Sequence, residues 1–526
     1  MADLTPEERA YAAADVAAIA PAEGARRRLS LWRVAALLAV VLAASAAVVA
    51  FRNGQQTQRV AAPKSSFMPY VDVTATPQYP FEDAAKSSSS SLVLGFVVAP
   101  RNDTCQPTWG AAYSLGQAAT TMDLDRRIVR LRERGGQVAI SFGGVANREL
   151  AVACTDVTQL TNAYRTVVDR YHVDTIDLDI EGDAASAADV VQRRAQAVSA
   201  LQAQRKKAGH PLRVWLTLPT DPSGLTAAGR TIVADMIAAK VELAGVNVLT
   251  MDYGASLATG ESLATANRSA LTHVAQQLSS VYTRAGFALT AAQAWQHLGA
   301  TPMIGQNDVA AERFGLDEAR VLLALARHNH LRRLSMWSVN RDQPCGPNYA
   351  NVAVVSDNCS GVDQAAGAFT KVFERFRAAH STAVHPATGS TGTARISIVD
   401  DPATSPYPIW NPEQAYAAAT KIVWHRNVYE AKWWTKGDTP DDPVASASDT
   451  PWTLIGPVLP GEHPQPTPTL KSGTYPGWTA THVYKAGDRV LFDGVGYQAK
   501  WYTSGDVPGI TVSDPGQTPW ELITSK

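Results

Sequence analysis

Short apolar, β-branched runs alternate with alanine-rich stretches between about residues 66 and 376. Eight of these runs have the length and composition of buried strands, and intervening stretches such as 123–134 and 317–329 have helical periodicity. The runs are 69–74, 92–99, 137–144, 174–181, 213–219, 245–253, 300–305 and 333–340. This order predicts an α/β fold, a TIM (β/α)8 barrel over residues 66–377 that follows a spacer at 52–65. An open doubly wound sheet has the same alternation and is the alternative.

A longer apolar run, residues 34–51, contains no charged side chain. As a helix it would be about 27 Å long, close to the bilayer's hydrocarbon thickness of about 30 Å. Arginines at 26–28 and 33 precede it, so the positive-inside rule predicts that residues 1–33 stay in the cytoplasm and the remainder is exported. We therefore expect one transmembrane anchor and an extracellular catalytic domain. A signal peptide cleaved near 44–46 would instead give a secreted protein.

The four cysteines all follow this apolar run. On the exported side of a membrane, oxidation to disulfides is expected. Each cysteine lies in a loop-like segment after a predicted strand, which favours the pairs Cys105–Cys154 and Cys345–Cys359, with free buried thiols as the alternative. The cysteines have no CxxC spacing and form no cluster with histidines, so we predict no metal and no cofactor.

The C-terminal part of the chain contains an internal repeat. Small and polar residues without hydrophobic periodicity follow the predicted barrel at 378–405, which indicates a linker. Beyond this linker many residues recur 68 positions later, including Trp410/Trp478, Tyr429/Tyr497 and Trp452/Trp520. The repeat predicts two small all-β modules at 406–457 and 474–526, separated by a second linker at 458–473.

Composition narrows the class of ligand. The chain has 47 Lys and Arg against 48 Asp and Glu, and a formal charge of −1 provides no electrostatic attraction to nucleic acid. In contrast, 13 Trp and 16 Tyr exceed what the cores require and indicate an aromatic binding surface. Each repeat has adjacent aromatics, Trp433 with Trp434 and Trp501 with Tyr502. Neighbours on a strand face opposite sides, so one of each pair is expected to be buried and the other exposed.

The fourth predicted strand carries several carboxylates. In the segment HVDTIDLDIEG, Asp177, Asp179 and Glu181 alternate with apolar residues and therefore point to one side of the strand. Asp174 has the opposite parity and is interpreted as structural. Three carboxylates directed into a barrel repel one another unless they have partners, shared protons or a function. They lie at the C-terminal end of the strand, where barrel enzymes place their chemistry, although a solvated acidic edge strand would also have this pattern.

This acidic run resembles a known family signature. The DGxDxDxE motif of glycoside hydrolase family 18, the chitinases and their relatives, is matched by Asp174, Asp177, Asp179 and Glu181, with Thr175 in place of Gly. Other landmarks follow in the family's order. The segment Ser141, Gly143 and Gly144 resembles its SxGG, Met251 and Tyr253 resemble its MxY, and Trp337 resembles its eighth-strand Trp.

The chain departs from the family pattern after the sixth predicted strand. The family often follows its Tyr with Asp, whereas here Gly254 follows Tyr253 and Asp252 precedes it. Because Asp252 has the opposite parity to Met251 and Tyr253, its default interpretation is a structural residue at the strand end. A direct catalytic role for Asp252 is the alternative.

The resemblance implies substrate-assisted retaining hydrolysis. Glu181 would protonate the glycosidic oxygen, and the substrate's own 2-acetamido oxygen would attack the anomeric carbon. Asp179 would orient the acetamide and would share a proton with Asp177 through a hydrogen bond. Tyr253 would position the acetamide oxygen, Met251 would be one of the substrate-binding residues, and Trp337 would lie under the sugar ring.

The repeats carry a second resemblance. The strings AKWWT and AKWYT, each with a downstream PW, resemble the chitin-binding modules of carbohydrate-binding families 5 and 12. This resemblance implies that chitin is bound by Trp433, Trp434, Trp501 and Tyr502. We therefore predict a monomeric, exported chitinase that cuts β-1,4-linked N-acetylglucosamine polymers and binds chitin and chito-oligosaccharides. An endo-β-N-acetylglucosaminidase acting on other glycans and a catalytically inactive chitin-binding lectin are the alternatives.

Overall fold

A computed structural model describes most of the chain from residue 65 onward. The described residues are 65–83, 87, 89, 91–102, 104–349, 351–376, 399–444, 446, 448–464, 469–509 and 517–523. Within these ranges, no helix is both long and apolar enough to cross a membrane. The apolar segment at 34–51, where we expect the anchor, lies outside them.

The strands of the N-terminal domain carry mostly buried side chains, as expected of a parallel sheet that is covered on both faces. In chain order they are β1 (Ser66–Phe67), β2 (Tyr70–Asp72), β3 (Ser91–Val98), β4 (Thr108–Trp109), β5 (Tyr113–Ser114), β6 (Gln137–Gly143), β7 (Thr175–Asp179), β8 (Arg213–Asp221), β9 (Gly224–Leu225), β10 (Leu243–Leu249), β11 (Leu298–Thr301), β12 (Gly305–Gln306), β13 (Arg313–Phe314) and β14 (Arg333–Leu334). Strand β7, which carries the acidic run, is buried at each of its positions.

The sheet closes into a barrel between its first and last strands. Strands β1 and β2 are two parts of one strand, interrupted at residues 68–69, and β1 pairs in parallel with β14 while β2 pairs in parallel with β3. From β3 the parallel order continues through β6, β7, β8, β10 and β11 to β14. An open sheet would leave its edge strands unpaired, so the predicted barrel is confirmed over the doubly wound alternative.

Helices follow the barrel strands and cover them. They are α1 (Leu115–Thr121), α2 (Leu124–Glu133), α3 (Leu150–Ala153), α4 (Val157–Arg170), α5 (Ala188–Lys207), α6 (Ala227–Ala238), α7 (Leu263–Arg284), α8 (Ala291–Gln296), α9 (Leu316–His328) and α10 (Ala368–Phe373). Helix α4 begins at a side-chain cap, since Asp156 accepts a hydrogen bond from the Gln159 amide at 2.8 Å. Helix α2 buries Leu124, Ile128 and Leu131, spaced three or four residues apart, so one face packs on the barrel.

Both predicted disulfides are present. Cys105 bonds Cys154, and Cys345 bonds Cys359. The first links the loop after β3 to the end of α3, and the second closes a loop that follows β14. Both therefore brace loops that follow barrel strands, and such loops lie at the C-terminal end of a barrel, where active sites form.

Each C-terminal repeat forms a small antiparallel sheet. The strands are β15 (Ala415–Tyr416), β16 (Lys421–Trp424), β17 (Asn427–Ala431), β18 (Thr435–Lys436), β19 (Trp452–Pro457), β20 (Arg489–Phe492), β21 (Val495–Ala499) and β22 (Trp520–Leu522). One sheet has the order β16-β17-β19 and the other β20-β21-β22. Equivalent residues pair in both sheets, Lys421 with Glu430 and Arg489 with Gln498. The all-β structure predicted for the repeat is confirmed.

The two repeats also build their cores from equivalent residues. The first core contains Tyr416, Ile422, Tyr429, Ala431 and Trp452, and the second contains Tyr484, Val490, Tyr497, Ala499 and Trp520. The Trp452 indole donates to the Asp438 carbonyl at 2.9 Å, and the Trp520 indole donates to the Asp506 carbonyl at 2.8 Å. These aromatics therefore stabilise the modules and are not available to bind a ligand.

Candidate active site

The acidic run lies where β7 reaches the C-terminal end of the barrel. Strand β6 runs beside it, with Ser141 opposite Asp177 and Gly143 opposite Asp179. A Cβ atom on Gly143 would lie 2.0 Å from the Asp179 carbonyl oxygen, and the backbone at Gly143 has φ +102°. Because only glycine allows both the conformation and the close approach, the SFGG segment sets how near β6 lies to the acids.

Asp177 is fully buried and is held by four neighbouring side chains. Its Oδ2 accepts hydrogen bonds from Tyr70 and Ser141 at 2.8 Å each. Its Oδ1 accepts from Thr217 and from the Arg333 Nη1, both at 2.7 Å. The expected sharing of a proton between Asp177 and Asp179 stays a prediction. In the structure both Asp177 oxygens accept hydrogen bonds from neighbouring side chains, and β14 brings the Arg333 cation into the barrel interior to pair with Asp177.

Asp179 lies two residues further along β7 and lines a cavity. It is buried, and its Oδ1 has no hydrogen-bond partner among the described residues. Burial raises the pKa of Asp179 well above its ordinary range, and the negative charges of Glu181 and Asp177 raise it further, against the opposite effect of Arg333. Burial therefore shifts this carboxyl toward its protonated form, and the oxygen without a partner is available to accept a hydrogen bond from a ligand.

Glu181 follows β7 and lines the same cavity. Burial raises the pKa of Glu181 to about 7, and the negative charges of Asp252 and Asp308 contribute to the shift. A carboxyl with this pKa is partly protonated at neutral pH and can both donate and accept a proton during a reaction. The turn after Glu181 is fixed by a hydrogen bond that the buried Arg194 donates to the Ala184 carbonyl at 3.0 Å.

The turn after the sixth barrel strand departs from the expected alternation. Strand β10 ends at Leu249, and Asp252 has a left-handed backbone with φ +51°. This conformation interrupts the alternation, so the consecutive residues Met251 and Asp252 both line the cavity. Asp252 Oδ1 accepts a hydrogen bond from the Val309 amide at 2.9 Å, which fixes its carboxyl beside the loop that follows β12.

Tyr253 packs away from the cavity, against α7. It is buried, and its hydroxyl donates to Asn267 Oδ1 at 2.8 Å. Glu312 fixes the turn from the other side by accepting hydrogen bonds from the amides of Tyr253 at 3.1 Å and Gly254 at 2.7 Å. The expected contact between the Tyr253 hydroxyl and an acetamide group is therefore corrected, because the turn at Asp252 rotates the tyrosine into the core.

The cavity has a volume of about 370 Å³ and an aromatic wall. The Trp337 ring stacks on Phe96 with centroids 5.4 Å apart and meets Tyr70 edge-on at 6.1 Å. Flat aromatic surfaces of this kind pack against the apolar faces of sugar rings. The acids that line the cavity are Asp72, Asp179, Glu181, Asp252, Asp308 and Asp357.

Part of this site consists of residues that the sequence pattern predicts. The expected residues that line the cavity are Asp179, Glu181, Met251 and Trp337. Tyr70 and Arg333 were not predicted, although both are polar residues inside predicted apolar runs, which is a signal for an interior partner. Asp252 also lines the cavity, although its parity favoured a structural role on the opposite side over a catalytic one. For Asp308 and Asp357, which lie in loops, the sequence has no periodic pattern.

The adjacent aromatics of both repeats are exposed together. Trp433 and Trp434 are 46% and 55% exposed, and Trp501 and Tyr502 are 42% and 68% exposed. The expectation that one of each pair is buried is wrong, because β17 ends at Ala431 and β21 ends before the second pair. Strand alternation does not apply beyond these ends, and each pair presents two rings to solvent. Each pair is therefore a candidate sugar-binding surface.

Comparisons with known proteins agree with this geometry. Residues 477–521 match the family model of carbohydrate-binding module family 5/12. Over 299 residues the chain is 36% identical to a probable bifunctional chitinase/lysozyme of Escherichia coli (strain K12), and this match covers 56% of the chain and 32% of that protein. Over 296 residues it is 35% identical to Endochitinase 11 of Metarhizium anisopliae, which covers 55% of the chain and 54% of that protein.

Solved chitinase structures have a similar fold. A catalytic-site mutant of active domain 2 of the chitinase from Pyrococcus furiosus has a TM-score of 0.51 and 28% identity, covering 60% of this chain and 95% of that one. A mutant of the same domain complexed with chito-oligosaccharides has a TM-score of 0.50 and 29% identity, with the same coverage. The chain spans about a third and about half of the length of the two curated relatives that it matches. The chain is therefore a homologue of chitinases that carries a family 5/12 carbohydrate-binding module at residues 477–521.

Proposed function

We propose that the protein is a chitinase that hydrolyses β-1,4 linkages between N-acetylglucosamine units. The observation that carries the proposal is that one cavity holds both Glu181, with a pKa of about 7, and Asp179, with a buried oxygen that lacks a partner among the described residues. A proton donor beside a free acceptor suits a glycosidic bond that has a neighbouring acetamide group. The names of both curated relatives, which include chitinase, support this substrate class.

The proposed reaction retains the configuration of the sugar and uses the substrate's own acetamide. Glu181 gives its proton to the glycosidic oxygen as the bond from that oxygen to the anomeric carbon breaks. The acetamide carbonyl oxygen attacks the anomeric carbon from the opposite face and forms a cyclic oxazolinium ion. Water then opens this ring while the Glu181 carboxylate takes up the water's proton, which restores the acid.

Asp179 holds the acetamide in the attacking orientation in this scheme. Its free Oδ1 accepts the acetamide N–H, which increases the electron density on the attacking carbonyl oxygen. Asp177 is a positioning residue, because its carboxylate is occupied by Arg333 and three hydroxyl groups rather than by substrate. Asp252 supports the acid step by keeping the pKa of Glu181 high.

We also propose that both repeats bind chitin. The family match covers the second repeat. The first repeat has a sheet of the same order, an equivalent core and an equivalent exposed aromatic pair. Two modules on one polymer raise the effective concentration of the catalytic domain at its substrate.

The proposed site of action is outside the cytoplasm. The arginines before residues 34–51 favour export of the catalytic domain, with this segment retained as an anchor or removed as a signal. The two disulfides support the same location, because such bonds persist in oxidising compartments. An insoluble polymer such as chitin also requires an enzyme that acts outside the membrane.

The experiment that tests the proposal compares the wild type with Glu181→Gln. The full-length protein in detergent is incubated with chitohexaose, colloidal chitin and bacterial peptidoglycan, and products are followed by mass spectrometry. We expect N-acetylglucosamine oligomers from chitohexaose and colloidal chitin, and a loss of at least about a hundredfold in Glu181→Gln with chitin pull-down retained. Asp174→Asn is the matched control, because this acid belongs to the same acidic run but has the opposite parity and pairs with Arg213 at the surface.

Three results would contradict the proposal. Pull-down on chitin without any cleavage would favour a lectin. Cleavage of peptidoglycan or another glycan in place of chitohexaose would change the substrate. Full activity of Glu181→Gln would remove this residue from the role of acid.

A further inference from the structure

The first module packs directly against the barrel, and we propose that the two form one rigid catalytic body. In this body the exposed Trp433–Trp434 pair has a fixed place relative to the cavity, and in the proposed arrangement the pair and the cavity engage the same stretch of an insoluble chitin surface. The inference rests on the proposed function and adds a division of roles. The first module aligns the barrel on the polymer, and the second module tethers the protein to it.

Arg126 of α2 is the central residue of this contact. Its side chain is only 4% exposed. The guanidinium donates to both carboxylate oxygens of Glu462, at 3.1 Å from Nη1 and 2.5 Å from Nη2, and Nη1 also donates to the Pro457 carbonyl. A bidentate pair with a buried guanidinium holds two groups in one orientation, which a mobile tether between domains would not do.

A second ion pair lies beside the first. Lys421 of β16 pairs with Asp123, the residue before α2, and both side chains are mostly buried. The Lys421 ammonium also lies 5.7 Å from the centre of the Tyr407 ring. One cation and one anion of the barrel, Arg126 and Asp123, therefore pair with Glu462, in the segment directly after the module, and with Lys421 of the module. This complementarity specifies a single docked orientation.

The two backbones approach each other closely at Gly456. In β19 this glycine has φ +153°, and a Cβ atom there would lie 2.9 Å from the Arg126 Cγ and 3.1 Å from the Arg126 carbonyl oxygen. Arg130, one turn further along α2, donates to the Leu454 carbonyl. Helix α2 therefore lies directly on β19, the last strand of the module sheet. Packing this close is typical of a protein interior and not of two domains that touch only transiently.

The second module lacks this contact at its equivalent positions. Arg489 corresponds to Lys421, but it is exposed and its guanidinium lies 5.8 Å from the Tyr475 ring of its own module. Leu522 corresponds to Leu454 and is 39% exposed, whereas Leu454 is partly buried. The docking residues are therefore not required for the fold of the repeat. They serve a contact that the first module alone makes among the described residues.

Rigid docking has a consequence for catalysis on a solid. A module on a flexible tether raises the local concentration of the enzyme but does not orient it. A module that shares a fixed surface with the barrel also presents the cavity to the polymer at a constant angle. Hydrolysis of insoluble chitin should therefore depend on the contact, and hydrolysis of a soluble oligosaccharide should not.

The test combines hydrogen exchange with activity in the full-length protein. The variants are Arg126→Ala/Lys421→Ala, which removes both cations, and the milder Glu462→Gln, which weakens one pair. The matched control is Arg489→Ala, at the repeat position of Lys421. Near-ultraviolet circular dichroism and turnover of soluble chitohexaose verify that module and barrel remain folded.

We expect α2 and β19 to be protected together in the wild type and to exchange roughly tenfold faster in the double variant. Hydrolysis of insoluble chitin is expected to fall at least about threefold, with chitohexaose turnover within about twofold of wild type. Arg489→Ala should change neither quantity.

The possible results distinguish an error in the docking, an error in its catalytic role and an error in the proposed function. Unchanged exchange of α2 and β19 in both variants would overturn the docking itself. Faster exchange with undiminished hydrolysis of insoluble chitin would overturn the catalytic role of the docking. A wild type that hydrolyses neither substrate would contradict the proposed function, and the exchange data would still decide whether the module docks.

Discussion

Arg333 and Asp177 form an ion pair inside the barrel, with the Arg333 Nη1 and the Asp177 Oδ1 2.7 Å apart and both side chains almost fully buried. The two residues belong to β14 and β7, so the pair spans the barrel interior. The Arg333 cation compensates the charge of Asp177, and it opposes the rise in the pKa of Asp179 that the negative charge of Asp177 causes. This pair helps three acids to lie within five residues, two on β7 and Glu181 directly after it.

Loss of that arginine is expected to be costly. Arg333→Met should lower the free energy of unfolding by about 3–5 kcal/mol, because it leaves the buried Asp177 without a counter-charge. The matched control is Arg213→Met, which removes a pair with Asp174 in which both side chains are at least half exposed. For such a pair we expect a loss of about 0–1 kcal/mol. Urea unfolding measures both variants, and equal losses would be inconsistent with a structural role for the buried pair.

Activity is expected to fall as the pH rises through about 7, because Glu181 must carry its proton to act as an acid. Asp252→Asn removes a negative charge near Glu181, so the Glu181 carboxylate forms more readily and its pKa falls. The alkaline limb of the kcat/KM profile should therefore move to lower pH.

The control for this shift is Asp357→Asn. Asp357 also lines the cavity, but its charge acts on Arg341. In this variant the limb should stay in place. A profile that stays fixed or moves to higher pH in Asp252→Asn would show that Asp252 does not control the acid.

Tyr253→Phe tests the corrected position of the tyrosine. The variant loses the hydrogen bond to Asn267, which should lower the free energy of unfolding by about 1 kcal/mol. Its kcat/KM on chitohexaose should stay within about threefold of wild type, since the hydroxyl does not face the cavity. A loss of about a hundredfold in kcat with unchanged stability would instead restore the catalytic role that the family resemblance implies.

The exposed aromatic pairs are expected to determine chitin affinity. Trp501→Ala/Tyr502→Ala should weaken binding about tenfold, which corresponds to about 1.4 kcal/mol. Trp433→Ala/Trp434→Ala should have an effect of similar size, and the combination should exceed either one because avidity is lost. Binding isotherms on colloidal chitin measure the loss. Phe287→Ala removes an exposed aromatic of the barrel and serves as the control, and wild-type binding by both module variants would exclude these surfaces.

Local periodicity made the barrel and its acids predictable. Strand alternation is a property of neighbouring residues, so Asp179 and Glu181 could be placed on one side of β7 without knowledge of the other strands. Strand alternation failed to predict the position of Tyr253, because the left-handed residue Asp252 interrupts it. It failed again at Trp433 and Trp434, which lie beyond the end of β17.

Contacts between distant segments were not predictable in this way. Arg333 lies far along the chain from Asp177, and no spacing rule connects the two residues. The docking of α2 on β19 likewise depends on Gly456 and Arg126, which occur in segments that sequence analysis assigned to different domains. Such partners are determined by which segments meet in the folded structure. The periodicity of the sequence carries no information about these long-range contacts.

The closure of the barrel at β1 and β14 also bears on how the chain reaches its active form. During synthesis, the strand at residues 66–72 has only one of its two neighbours until Leu334 has emerged from the ribosome. Asp177 on β7 likewise has no ion-pair partner until Arg333 has been synthesised. The pairing of β1 with β14 is slow to form, because the two strands are far apart along the chain. When it forms, it completes both the barrel and the charge balance of the cavity. A nascent chain that stops short of this strand has neither.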